Sequence, residues 1–300
     1  MKHFTQFVIR TTAIALALVV LGWLLGLLTP NGEGTTEPTG MVDSLVLPFV
    51  SAFLLAAALA YPISRSRLSG WSLFRVVFLA VFGLMTVLTL VEAALFLTMS
   101  VGELAKEFVK STLTSATLAW LTVTLYSKVE TSPQMVERGP NPPSRSSWIR
   151  RWVGVSLLYV VLYITAGLLI LPLIREWYET QGTLEPDPAF FFPFQIARGA
   201  LFVACVLPLL RSMRASRWQA SLATAFMIPL VHGVASLLTP NAFMPDHVRH
   251  AHMLEIGWSN FVLGLVIGFL FWNPPRVAEH STASSSVPAG LRTIPSEEAT

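Results

Sequence analysis

Six polar side chains in this sequence interrupt runs of residues that belong in hydrocarbon: Glu92, Gln195, Arg198, His232, His252 and Glu255. A charge at the centre of a bilayer costs about 2.5–3.5 kcal/mol even on the mildest insertion scale, so each ionisable group needs a partner or a wet cavity. Gln195 precedes Arg198 by three residues, which puts both on one helix face. The densest stretch is Asp246, His247, Arg249, His250, His252 and Glu255, followed by Ser259 and Asn260. On a helix His252, Glu255 and Ser259 share a face and Arg249 flanks it, while His247 and His250 point away towards the headgroups.

A His-x-x-Glu pair can present a neutral imidazole and a carboxylate to one divalent cation such as zinc. The third metal ligand would be His232, or else Glu92, from a neighbouring helix. If His232, His252 and Glu255 hold the metal, Glu92 is free to act as general base on its bound water. The same residues also have a plainer chemistry. Arg198 can be neutralised by Glu92 or Glu255, and His232 can be a hydrogen-bonded core histidine. No HExxH, GxSxG, phosphate-binding loop or paired CxxC occurs. The Glu-Glu-x-x-x-Arg pattern of CAAX-protease-like membrane peptidases is missing too: Glu176 and Glu179 come nearest and do not fit.

The elements that must position these groups are membrane helices. The 300 residues are 53% hydrophobic and 12% charged, whereas a soluble domain carries about 25% charged residues. Apolar runs long enough to span lie at 12–28, 41–63, 73–99, 108–126, 152–174, 190–210, 218–238 and 252–272. The fourth is the most polar, with Lys110 and seven Ser or Thr, whose hydroxyls can bond back to their own helix. The first follows Lys2 and Arg10 but ends in Thr29, Pro30 and Asn31 rather than a small-residue cleavage site, so it reads as a retained helix. The expected fold is an all-α integral membrane protein of eight transmembrane helices.

Charge gives the orientation. With the N-terminus inside, fifteen of the twenty Lys and Arg fall in cytoplasmic segments. Lys106, Lys110, Arg175 and Arg249 fall outside, and Arg198 lies within the membrane. Trp71, Trp148, Trp152, Trp218 and Trp272 then mark the inner interface. Both termini are cytoplasmic, the setting is the plasma membrane (a bacterial inner membrane), and the basic clusters write topology rather than nucleic-acid binding. At 1.5 Å per residue, Glu92, Arg198, His232 and Glu255 all sit within about 12 Å of the outer boundary. Cys205, the single cysteine, lies in an apolar run and reads as a packing residue.

Two inner loops resemble each other. Pro62, Arg65, Ser66, Arg67, Ser69 and Trp71 match Pro208, Arg211, Ser212, Arg214, Ser216 and Trp218, allowing one inserted Met. Because four spans separate them, the halves face the same way, as in a parallel duplication. The organisation expected is a first half at 1–128, a Pro-rich cytoplasmic linker at 129–149, a second half at 150–272, and a disordered cytoplasmic tail at 273–300.

Function is narrowed to three readings. The first is a membrane protein that binds a small ligand or ion in an outward-facing pocket, for sensing or for assisting a membrane partner. The second is a metal-dependent membrane hydrolase. The third is a structural subunit whose buried charges fix helix packing.

Overall fold

The computed structural model describes residues 2–28, 40–96, 99–127, 144–181, 188–241 and 244–272. The proline-rich centre of the linker and the whole tail lie outside them. Eight helices account for most of the described residues: α1 Lys2–Leu28, α2 Val42–Ser64, α3 Gly70–Leu95, α4 Val101–Tyr126, α5 Arg145–Gln181, α6 Pro188–Ser212, α7 Arg217–Leu237 and α8 Asp246–Phe271. Helix α5 begins at Arg145, within the stretch read as linker. There is no β-strand among the described residues.

Seven of the eight helices, all but α4, are long and apolar enough to cross a membrane. The exception has a plain cause: Glu103, Lys106, Glu107 and Lys110 crowd its first three turns. Its start is fixed by a reciprocal cap, in which the Glu103 backbone N–H donates to Ser100 Oγ at 3.2 Å and the Ser100 N–H to Glu103 Oε2 at 2.7 Å. At 26 residues it is about 39 Å long, more than the roughly 30 Å of hydrocarbon. It packs on α1, α2 and α3. Thr11 and Tyr126 share a buried hydrogen bond of 2.5 Å, and Thr86 bonds Ser111 at 2.7 Å. Thr112, Thr114, Thr122 and Thr124 donate back to their own helix, which hides their hydroxyls.

The packing repeats between α1–α4 and α5–α8. Helix α1 lies on α2 and α4, α3 on α4, and α2 on α4; likewise α5 lies on α6 and α8, α7 on α8, and α6 on α8. Across the middle, α3 meets α6 and α2 meets α7. Both α3 and α7 carry a π-helical turn, Phe82–Val87 at the middle of α3 and Leu230–Val234 in the last third of α7. The two short loops, 65–69 and 213–216, join in an antiparallel bridge between Ser66 and Met213. There Arg67 N–H donates to Ser212 O at 2.8 Å and Arg214 N–H to Arg65 O at 2.6 Å. The Ser66 hydroxyl donates to Ser212 Oγ at 3.0 Å.

Close approach is sequence-encoded at α7–α8. A Cβ on Gly264 would stand 2.7 Å from the Thr224 carbonyl, and one on Gly268 would collide with Ser221. Only glycine lets these backbones touch. Outward, Leu16, Trp23, Trp120, Leu168, Leu169, Phe226 and Leu254 are exposed, as lipid-facing residues should be. Cys205 is buried against Gly83, in the packing role its position suggested.

Candidate functional site

Three helices build the charged centre. Arg198, on α6, is buried at 3% exposure and forms a two-pronged ion pair with Glu92 of α3. Its Nη2 donates to Oε2 at 2.6 Å and its Nη1 to Oε1 at 3.0 Å, the planar fork-on-fork match that distinguishes arginine from lysine. Nη1 also donates to Gln195 Oε1 at 3.1 Å, one turn earlier on the same face. Three rings surround the guanidinium: Tyr159 at 5.6 Å and Tyr163 at 5.8 Å from α5, and Phe194 at 5.7 Å from α6. Aromatic faces add cation–π stabilisation that grows as water is excluded. Gly199 makes room for α5, since a Cβ there would lie 2.8 Å from Ser156 Cα.

Beside this centre is His232, within the π-helical turn of α7. Its Nδ1 lies 3.0 Å from the Leu84 carbonyl in the matching turn of α3. A carbonyl only accepts, so Nδ1 carries the proton and donates. The ring meets Phe202 edge-on at 5.0 Å, and Thr89 donates to the His232 carbonyl at 3.2 Å. π-Turns leave backbone groups out of the regular ladder, and the crossing hydrogen bonds from His232 and Thr89 occupy two of them.

A second line of polar groups runs along α8 from its N-terminal end. Tyr178 Oη lies 3.2 Å from His252 Nε2, His252 Nδ1 lies 2.7 Å from Glu255 Oε2, and the Ser259 hydroxyl donates to the Glu255 carbonyl at 2.6 Å. With Glu255 ionised, Nδ1 donates to the carboxylate and the phenol donates to Nε2, giving a Tyr–His–Glu chain of hydrogen bonds. Gly167 of α5 faces Glu255 Oε1, and a Cβ there would lie 3.8 Å away, at ordinary contact distance. Glu92 lies within Coulombic reach of Arg198, His232 and His252, and Tyr159 within reach of Arg198, Glu92 and Glu255. The polar groups of separate helices thus occupy one neighbourhood.

The three expected metal ligands, His232, His252 and Glu255, have their side chains engaged by other partners. Among the described residues no group of three or more His, Cys, Asp or Glu side chains is placed to hold a metal ion. His232 turns Nδ1 to the Leu84 backbone, and both ring nitrogens of His252 are engaged by Glu255 and Tyr178. Arg249 is buried and turns back to Asp246 at 2.9 Å rather than joining Glu255. Sequence spacing missed the aromatic cage, although Tyr159 and Tyr163, four apart in an apolar run, were its legible trace. It also missed Tyr178, which lies 74 residues from His252.

Not every hydrogen-bonding atom is used. Gln195 Nε2 and Arg198 Nε are buried without a protein partner, as are Nε and Nη1 of Arg249. All are donors. Between Arg198 and the buried Ser212 at the end of α6, the buried side chains are Phe202, Val203, Cys205, Val206, Leu209 and Leu210, so the polar zone around Arg198 ends within about one turn. No family model matches the chain, and comparison with curated proteins and with solved structures finds no match.

Proposed function

We propose that this chain is a polytopic inner-membrane protein that holds a small ligand or ion at the Glu92–Arg198–Gln195 centre, beneath the extracytoplasmic surface. One observation carries the reading: Gln195 Nε2 and Arg198 Nε are buried donors left unpaired beside a buried ion pair. Buried donors are costly to leave unpaired, and these two call for an acceptor such as a carboxylate, a carbonyl or a halide. His232, His252 and Glu255 line the approach. Sensing, or assistance to a membrane partner, fits better than transport, because the stretch of α6 from Phe202 to Leu210 offers no polar station next to the centre.

The reading assumes eight spans, both termini cytoplasmic, and duplication of a four-helix unit. The length and packing of α4 support the eighth span. The pairing of Ser66 with Ser212, which the repeat aligns with each other, supports the duplication, as do the matching π-turns. Alkaline phosphatase fusions test the topology: activity is expected after Ser100 and none after Ser127, and activity at both sites would remove α4 from the membrane.

For the ligand, native mass spectrometry of the purified protein is expected to find a retained non-lipid molecule that Gln195→Leu abolishes without loss of fold. A wild type that retains nothing, with the variant unchanged in cells, would leave the structural reading. The saturated two-pronged geometry of Glu92 on Arg198 favours that second reading.

A further inference from the structure

The opposite end of the bundle holds a cavity of about 160 Å³ where the two short loops meet. A single water needs about 10–15 Å³ by the same measure, so a polyatomic group fits. The lining is Ser64, Arg65, Ser66, Arg67, Leu68, Ser69 and Arg214. Among the described residues it includes three arginines and no acidic residue. Arg67 Nε and Nη2 are buried there with no hydrogen-bond partner. Burial, and then the charge of Arg214, hold the Arg67 guanidinium below an arginine's usual value. An anion in the cavity would relieve both penalties.

The two loops differ in how they begin the next helix. On α7, Ser216 Oγ accepts from the Gln219 N–H at 3.3 Å and Gln219 Oε1 from the Ser216 N–H at 3.0 Å, closing the cap. On α3, Ser69 occupies the cap position and its hydroxyl makes no capping bond. Gly70 follows with φ +53°, a left-handed turn suited to glycine. The first turn of α3 therefore presents its N–H groups, uncapped by a side chain, next to the arginines.

We propose that this cavity binds a phosphate group, held by Arg67 and Arg214 with the Ser69 hydroxyl and the start of α3. On the orientation given above the site is cytoplasmic, where such a group comes from an anionic phospholipid headgroup or from free phosphate. The site is independent of the Arg198 centre, which lies 14 residues up α6 from Ser212, about 21 Å away along the axis.

The test uses the full chain in dodecyl maltoside. In one arm, sodium phosphate is titrated against sodium chloride at matched ionic strength and thermal melting is read. In the other, native mass spectrometry compares retention of phosphatidylglycerol with that of diacylglycerol. Arg67→Gln is expected to weaken binding about ten-fold or more, the worth of one charge-assisted hydrogen bond. Arg150→Gln, an exposed arginine outside the cavity, should leave binding unchanged. Saturable stabilisation by phosphate identifies a free anion; selective phosphatidylglycerol retention without it identifies a headgroup. If Arg67→Gln does not fold, Arg214→Gln and the wild-type comparisons decide. Equal melting in phosphate and chloride, with no preference for phosphatidylglycerol, would overturn the proposal. So would binding that survives both arginine substitutions.

Discussion

Breaking the Glu92–Arg198 pair should cost more than deleting it. Glu92→Gln keeps the side chain's shape and one oxygen acceptor but leaves the Arg198 cation, 3% exposed, without its counter-charge. Removing one partner of a buried pair costs about 3–5 kcal/mol. At roughly 2 °C per kcal/mol for a chain of this size, melting should fall by about 6–10 °C. Arg198→Met alone strands a carboxylate that is 29% exposed, so water partly solvates it and the loss should be smaller. The double variant Glu92→Gln/Arg198→Met removes the charge altogether. It should recover about half the loss of the worse single variant, a coupling that a double-mutant cycle isolates. The protein supplies its own probe: Cys205, the sole cysteine, is buried seven residues beyond Arg198, so a fluorogenic maleimide reports its unmasking on heating. Strict additivity of the two single effects, or a Glu92→Gln melting point within 1 °C of wild type, would refute the argument.

Three further outcomes test the packing. Gly264→Ala should lower melting by several degrees, because its Cβ would press on the Thr224 carbonyl and Ala225 Cα, whereas Gly26→Ala, with nothing within 4 Å, should be neutral. Thr11→Val should cost about 1 kcal/mol by orphaning the Tyr126 hydroxyl, and Tyr126→Phe on top of it should restore most of the loss. His232→Phe should destabilise by about 1–3 kcal/mol, because the Leu84 carbonyl loses the donor that crosses between π-turns. Circular dichroism melts in detergent measure each, and a flat response would remove the corresponding contact from the account.

Helices were readable because composition leaves no alternative: a chain that is 53% hydrophobic must bury its backbone hydrogen bonds in lipid. The α6 face was readable too, since Gln195 and Arg198 are three apart and a buried arginine demands a carboxylate. What spacing could not settle was which carboxylate. Glu92 and Glu255 were equal candidates, and only the α3–α6 contact decides between them. The metal expectation rested on a related limit of spacing. A helix period shows that His252 and Glu255 can share a face, but not that they will satisfy each other. The arginines of the short loops looked like topology signals alone, because their assembly depends on a bridge between segments 146 residues apart.

That bridge gives the molecule an asymmetry of grip. Helices α1–α4 are tied to α5–α8 at one face by backbone stitches, Arg67 to Ser212 and Arg214 to Arg65, which no titration or ligand can release. Away from that face the ties between the same groups of helices use side chains: the clasp of Glu92 on Arg198, and the His232 and Thr89 hydrogen bonds between α3 and α7. A competing anion or a single proton can undo such a clasp. Any scissoring of one half against the other therefore pivots on the stitched face and opens at the clasped one.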